Sequence, residues 1–457
     1  MSKVIIFGTG KIYSDYQEIL EASDIVAFVD NDIRKQGKYI NGIEIIAPSK
    51  IENLEYEYIV IATVYYKEVY NQLKSLRISE RKILSYVELY QLGDYISQAK
   101  LYFKEEKVEY YQKEKVVLFT QTLSLFGGPI VMLYMAYIYV KLGYEVIIVS
   151  REDGPLRYEL EGSGILLIID SFNCVQNDAY KQKMANAKYL VFNTNYFAYL
   201  IPEFYKINKN IIWWLHEPNT IYNICYKKEF DEYFKKIKIY AVSDVARTAF
   251  YDTIGMFDID LLPYGIPDQT NKAIVDIKSH PKLKILIVGG VCEAKGHDIL
   301  IKAIESLDDN EKEQVEILMA GKLAKEGSEL FIKCIELEKQ GLIKCMGVVD
   351  REKMQELYNR IDIVVCASRA ESFPVAVVEA MMNSRISIVS DNAGICEYIE
   401  DRSNGLIFKK EDAIGLRNCI RWCLEHRDEV KYMKVSARNT YEKFFTMDVF
   451  KCRIENM

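Results

Sequence analysis

Short apolar runs rich in Ile and Val recur along this chain, each closing on a glycine or a polar turn, with room for one helix between successive runs. They include Val4–Phe7, Asp24–Val29, Glu57–Ala62, Val116–Phe119, Glu145–Val149, Tyr189–Phe192, Ile211–Leu215, Ile239–Ser243, Lys284–Val288, Val315–Ala320, Ile343–Met346, Ile361–Cys366 and Ile386–Ser390. Uniformly apolar strands are buried on both faces, and strands alternating with helices build parallel sheets. Right-handed crossovers gather the strand C-termini on one edge, where such sheets place their ligands. The pattern predicts an α/β chain. At 457 residues, half of them hydrophobic, it needs more than one core.

Chain punctuation divides it. Residues 1–90 read as a small α/β unit with a tight Gly8-Thr-Gly10 turn and Asp30 at the end of its second strand. That acid, about twenty residues after the turn, matches a dinucleotide-binding arrangement, although the third glycine position holds Tyr13. Gly8, Gly10 and Asp30 are its candidate ligand residues, for a nucleotide, a nucleotide sugar or a docking role. Residues 91–114, rich in Tyr, Lys and Glu, predict a helical linker. A second unit spans 115–272, with a Gly127-Gly128 loop before a helix from Ile130, His216-Glu217 at one strand end and Ser243 at another. The turn-rich Leu261–Pro267 stretch marks its exit. A third unit spans 273–440, with Gly289-Gly290 and Lys295 in its first loop and Ala393-Gly394 in a later one. Residues 441–457 predict a last helix that crosses back.

The third unit holds the most informative stretch, Arg369 to Met382. Glu371 and Glu379 stand eight positions apart around Pro374, which suits a first helical turn. Uncapped amides and the macrodipole favour an anion at such a helix start, while flanking acids bind hydroxyls. The combination suits a ligand with a phosphate end and a sugar end.

From Lys115 onward the chain resembles the GT-B glycosyltransferases, in particular the retaining family 4 group. The likeness rests on the E-x7-E signature Glu371–Glu379, with Gly127-Gly128, His216-Glu217, Ser243, Pro263-Tyr-Gly265-Ile266, Lys295-Gly296, Ala393-Gly394 with Glu397, and Asn404-Gly405 in the same order. It implies two Rossmann-like domains facing across a cleft, preceded here by the extra small Rossmann-like domain. That small domain is similar to those attached to bacterial polysaccharide-biosynthesis enzymes. The implied activity moves a sugar from a UDP- or GDP-sugar to a hydroxyl of a lipid-linked glycan, polysaccharide or other glycan, with retention and without a metal. The resemblance makes His216, Lys295 and Glu371 catalytic. It places Gly127, Gly128, Gly289, Gly290, Lys295, Glu371, Ser372, Phe373, Pro374, Val375, Glu379, Ala393 and Gly394 around the donor, with Glu379 on the ribose and Lys295 on the diphosphate. The chain departs from the family at Gly290, where an Arg is usual, at Asn383-Ser384 in place of Cys-Gly, and at Ile386 in place of Pro.

Two other readings stay open: a nucleotide-sugar-binding partner without catalysis, and an NAD-dependent enzyme working through residues 1–90. A net charge of −7 argues against a nucleic-acid partner. Ten scattered cysteines without a CxxC pair predict free thiols in a reducing cytoplasm. The start reads as a strand rather than a signal peptide. The apolar run Ile130–Val140 stops at Lys141, too short for a bilayer. A peripheral contact with the inner face of the membrane would fall to the basic segment from Lys227 to Lys238, whose plainer reading is a solvated helix face.

Overall fold

The computed structural model describes residues 1–102, 113–218, 226, 228–270 and 282–457. Three mainly parallel sheets follow one another along the chain. The first comprises β1 (Lys3–Phe7), β2 (Asp24–Val29), β3 (Tyr39–Ile40), β4 (Ile43–Ile46), β5 (Tyr58–Ile61) and β6 (Ile83–Ser85), in the order β3-β4-β2-β1-β5-β6. The second comprises β7 (Lys100–Tyr102), β8 (Lys115–Thr120), β9 (Glu145–Ser150), β10 (Leu166–Ile169), β11 (Tyr189–Asn193), β12 (Ile211–Leu215), β13 (Lys238–Ala241) and β14 (Ile259–Leu261). Its order is β14-β13-β12-β11-β8-β9-β10-β7. The third comprises β15 (Leu283–Val288), β16 (Val315–Ala320), β17 (Ile343–Gly347), β18 (Ile363–Cys366), β19 (Ile386–Ser390) and β20 (Leu406–Phe408), in the order β17-β16-β15-β18-β19-β20.

The expected linker helix over 91–114 is not what the described part of that stretch forms. Residues 100–102 make β7, antiparallel to β10, and cover an edge whose backbone groups would otherwise lack partners. Residues 103–112 of the same expectation lie outside the described residues. The predicted Gly127-Gly128 loop is also corrected: both glycines open the Gly127–Lys141 helix, with Pro129 in its first turn. Pro374, expected inside a helix, is the residue just before the Val375–Met382 helix.

Aromatic packing fills the second unit. Phe119 of β8 stacks on Phe192 of β11 with ring centroids 4.3 Å apart. Trp213 and Trp214, neighbours on β12, are fully buried on opposite faces of the sheet. Each satisfies its indole N–H, Trp213 on the Thr194 carbonyl at 2.7 Å and Trp214 on the Leu262 carbonyl at 3.0 Å. The described cysteines are free thiols. No helix among the described residues is long and apolar enough to cross a membrane. Of the basic segment, Lys227 lies outside the described residues, and Lys235, Lys236 and Lys238 are exposed.

The Arg427–Phe444 helix is tied to the third sheet by Lys434 and Asp362, 2.6 Å apart and only 3% and 7% exposed. Asp362 also accepts the Lys284 N–H at 3.0 Å, which links β18 to β15. The chain then returns to the second unit through the Met447–Glu455 helix. There Phe450 meets Trp214 with centroids 5.8 Å apart, and Arg453 donates to the Pro263 carbonyl at 3.0 Å. Removing one member of a buried ion pair strands the other charge. Asp362→Ala should therefore cost about 3–5 kcal/mol of stability, while the double replacement Asp362→Leu with Lys434→Met should cost far less. Urea denaturation midpoints compare the two.

Candidate active site

The loop after β18 is anchored before it carries any chemistry. The Arg369 N–H donates to the Ala294 carbonyl at 3.0 Å. Its guanidinium holds Asp298 with two bonds of 2.8 Å and Glu411 with one of 2.7 Å. These contacts dock the loop against the Glu293–Lys295 turn. Gly296 closes that turn at φ +74°, where a Cβ would collide with the Ala367 carbonyl. The result brings Lys295 onto Glu371: its ammonium donates to Glu371 Oε2, and Ser368 Oγ donates to the same oxygen at 3.3 Å. Burial alone would lower the Lys295 pKa, but the Glu371 carboxylate more than offsets it and the pKa is raised. Lys295 is thus a firm cation.

Two helices begin beside this pair. The Val375–Met382 and Gly127–Lys141 helices follow Pro374 and Phe126, neither of which caps its helix with a side chain. A Cβ on Gly127 would sit 3.2 Å from Val375 Cγ2, so the two starts converge. Uncapped amides and two macrodipoles therefore point at one place, a setting that favours an anion. Asn193 Nδ2 donates to the Gly128 carbonyl at 3.1 Å and fixes the first turn of its helix. Glu379 lies half-buried on the second turn of the other helix and accepts the Tyr358 hydroxyl at 2.7 Å. Burial raises its pKa, against the opposing pull of Tyr358 and Arg351. Gly289, at φ +127°, turns the chain at the end of β15 beside the Lys295 side chain. Gly290 is open: the nearest atom to an added Cβ is the Lys322 carbonyl oxygen at 3.9 Å. The usual arginine is missing there, yet space for a side chain exists.

The second unit supplies the facing wall. His216, past β12, packs edge-on to Trp214 at 4.3 Å, and its carbonyl accepts the Ser372 hydroxyl. Burial lowers the imidazole pKa to about 3, so the ring is neutral near pH 7. Glu217 beside it accepts the N–H groups of Asn195 at 3.0 Å and His216 at 3.1 Å. Burial raises its pKa to about 7. Ser243 Oγ donates to the Ser372 carbonyl at 2.7 Å, and the Tyr264 hydroxyl to the Phe373 carbonyl at 2.6 Å. Gly394 sits where a Cβ would collide with the Ser372 carbonyl and Ser243 Oγ, and its N–H donates to the Glu371 carbonyl at 2.9 Å. Ala393 pairs with Glu371 as an isolated bridge.

One seam between the two units thus gathers the sequence-predicted residues from Gly127 to Gly394. Gly8, Gly10 and Asp30 stand apart from it in the first unit. Asp30 is engaged by the Thr9 N–H at 3.1 Å, Thr9 Oγ1 at 2.5 Å and Lys35 Nζ at 2.8 Å. Tyr13 is buried against Phe28 with centroids 5.2 Å apart. Sequence reasoning missed Asp298, Tyr358 and Arg351. Arg351 pairs with Glu159 at 2.5 Å and donates to the Tyr134 hydroxyl at 2.8 Å, across the seam.

Two Rossmann-like sheets whose C-terminal strand edges meet across such a seam define the GT-B fold. Residues 112–249 match the family model described as glycosyl-transferase family 4, and residues 268–440 the model described as glycosyl transferases group 1. Residues 1–84 match a model described as C2185-like, N-terminal. Among curated relatives, an uncharacterized glycosyltransferase of Methanocaldococcus jannaschii is 27% identical over 159 residues, 35% of this chain and 43% of the relative. The D-inositol 3-phosphate glycosyltransferase of Nocardia farcinica is 22% identical over 163 residues, 34% of this chain and 35% of the relative. The match thus spans less than half the length of either relative. Among solved structures, Anabaena HepE in complex with UDP and glucose superposes with a TM-score of 0.63 at 18% identity, covering 75% of this chain and 98% of that one. WaaG, a glycosyltransferase involved in lipopolysaccharide biosynthesis, superposes with a TM-score of 0.56 at 15% identity, covering 74% and 98%.

The raised pKa of Glu217 has a definite sign. Stability that comes from keeping this acid protonated is full below its ordinary value of 4.5 and is lost as pH rises through about 7. Glu217→Gln should remove that loss. Between pH 5 and 8 the denaturation midpoint of the parent should fall relative to the variant, and parallel curves would refute the assignment.

Proposed function

We propose that the chain is a glycosyltransferase moving a sugar from a nucleotide diphosphate sugar to a hydroxyl acceptor, in the assembly of a surface polysaccharide or other glycoconjugate. The observation that carries this reading is Lys295, paired with Glu371 beside two uncapped helix starts. Breaking a glycosyl phosphate builds negative charge on the departing diphosphate, and a preorganised cation with aligned dipoles stabilises that charge. An ammonium has three N–H donors. Glu371 takes one in this structure, and the others suit phosphate oxygens. Glu379, steadied by Tyr358, suits a ribose hydroxyl. Glu371 suits a hydroxyl of the transferred sugar. His216, neutral, suits a hydrogen bond to that sugar rather than proton donation as an imidazolium.

Retention is part of the proposal. A double displacement needs two carboxyls about 5 Å apart flanking one bond. Glu379 in its ribose role is not available for that, so departure and attack on one face fit better, with the leaving phosphate accepting the acceptor's proton. The complexes of HepE with UDP and with UDP-glucose support a uridine nucleotide as the first donor to test. One observation favours a second reading, a nucleotide-sugar-binding partner without turnover: Gly290 offers no cation. Binding of a nucleotide sugar with no release of nucleotide to any acceptor or to water would select it.

A panel of UDP-, GDP- and ADP-sugars, read by saturation-transfer NMR, identifies the donor. With that donor, Lys295→Ala should lower kcat by about 10²–10³-fold. Unchanged turnover would remove Lys295 from the mechanism. Glu379→Gln should act mainly on donor KM, and a kcat effect with unchanged KM would contradict the ribose assignment.

A further inference from the structure

The second and third units are joined at both ends of their facing edges. At one end Ser243 and Tyr264, just past β13 and β14, hold the carbonyls of Ser372 and Phe373. At the other, Arg351 of the third unit reaches Glu159 and Tyr134 of the second. Its Nη1 lies 2.5 Å from Glu159 Oε2, and its Nη2 donates to the Tyr134 hydroxyl at 2.8 Å. Glu159 follows β9, four strand positions from β13, which sets the two contacts roughly 19 Å apart along the sheet. Arg351 follows β17, the edge strand of the third sheet.

Nothing local calls for arginine at 351. It is the first residue of the Arg351–Arg360 helix, behind Asp350, which caps that helix by accepting the Lys353 N–H at 2.9 Å. A cation at the first position opposes the helix macrodipole. The partners of this arginine lie across the seam instead. The Tyr134 ring stands by the guanidinium, with its centroid 5.8 Å away. The Tyr137 hydroxyl donates to the Glu159 carbonyl at 2.9 Å, so both partners of Arg351 are fixed to the Gly127–Lys141 helix, whose uncapped start borders Lys295 and Glu371. Two turns along its own helix from Arg351, Tyr358 holds Glu379. The Arg351 and Glu159 side chains are 37% and 31% exposed. Ion pairs this open to water are weak and screened by salt, so the contact can break and re-form.

We propose that Arg351 is a latch. Paired with Glu159 and Tyr134, it shuts the end of the cleft remote from Ser243. A nucleotide passes between Glu379 and the Gly127–Lys141 helix only while the pair is broken. The passage of nucleotide rests on the glycosyltransferase reading; the latch between the units does not. Arg351 touches no reacting atom in this role and is a positioning residue, acting through the closure of the two walls. The pair is already formed in the unliganded chain, so the latch slows entry as well as exit. That sets it apart from an ordinary ligand-binding side chain, whose loss speeds exit alone. Closures of this kind set the rate of product release in many enzymes.

Stopped-flow tryptophan fluorescence of the full chain mixed with UDP measures both rates, with Trp214 beside His216 at the seam as the reporter. Arg351→Gln and Glu159→Gln should each raise the association and dissociation rates about threefold, the scale of a half-exposed ion pair, and keep Kd within about twofold of the parent. Raising salt from about 0.05 to about 0.5 M should shrink the difference between parent and variants, because it unlatches the parent. Exchanging the charges, Arg351→Glu with Glu159→Arg, should return both rates towards those of the parent. Unchanged rates in both single variants, or a Kd raised through faster dissociation alone, overturns the proposal. Small-angle X-ray scattering without nucleotide tests the latch by itself: the radius of gyration of Arg351→Gln should exceed that of the parent, and the charge exchange should restore it. If UDP fails to bind, the donor reading falls separately, and equal radii would then overturn the latch as well.

Discussion

The carbonyls of Ser372 and Phe373 accept hydroxyl hydrogen bonds from Ser243 and Tyr264, and the site depends on this arrangement. Both carbonyls lie on the loop that carries Glu371. The same loop is held from behind by Arg369 on Asp298. One unit positions the loop and the other reads its backbone, so the Glu371 carboxylate is located from both sides at once. The requirement for glycine at 394 follows, because any side chain there would part Ser243 from Ser372. Specificity of this kind lives in main-chain atoms.

Much of the architecture was legible from periodicity alone. The long apolar strands were expected where β1, β2, β8, β9, β12, β15, β16 and β19 lie, because parallel strands buried on both faces leave an unbroken hydrophobic signal. Strands β3, β7 and β14 carried no such signal. They are two or three residues long and sit at sheet edges, where a partner rather than an intrinsic pattern decides their conformation. Site residues divide in the same way. Lys295, Glu371 and Glu379 stood in local motifs. Tyr358, which orients Glu379, and Glu159, which pairs with Arg351 from 192 positions away, had no local context that could mark them.

Electrostatics at the seam show how burial sets roles. Lys295 keeps its charge because Glu371 offsets desolvation. His216, without an acidic partner, is driven to the neutral form by the same burial. Glu217 has two backbone donors, yet its pKa still rises to about 7. Three ionisable groups along the seam thus hold different protonation behaviour, each set by its burial and by the partners it has.

The return of the last helix to the second unit has a mechanical meaning. The chain passes between the second and third units twice, once near Ile266 and once near Phe445. The passages lie side by side, with the Ile266 N–H bonded to the Phe445 carbonyl at 2.8 Å and a parallel bridge from Ile266 to Thr446. A single strand would act as a swivel. Two strands fastened together act as a door hinge, allowing the units to swing but resisting rotation about the strand direction. The facing edges would then come together in the same register on every closure, and a nick in either passage would release the twist while leaving both sheets folded.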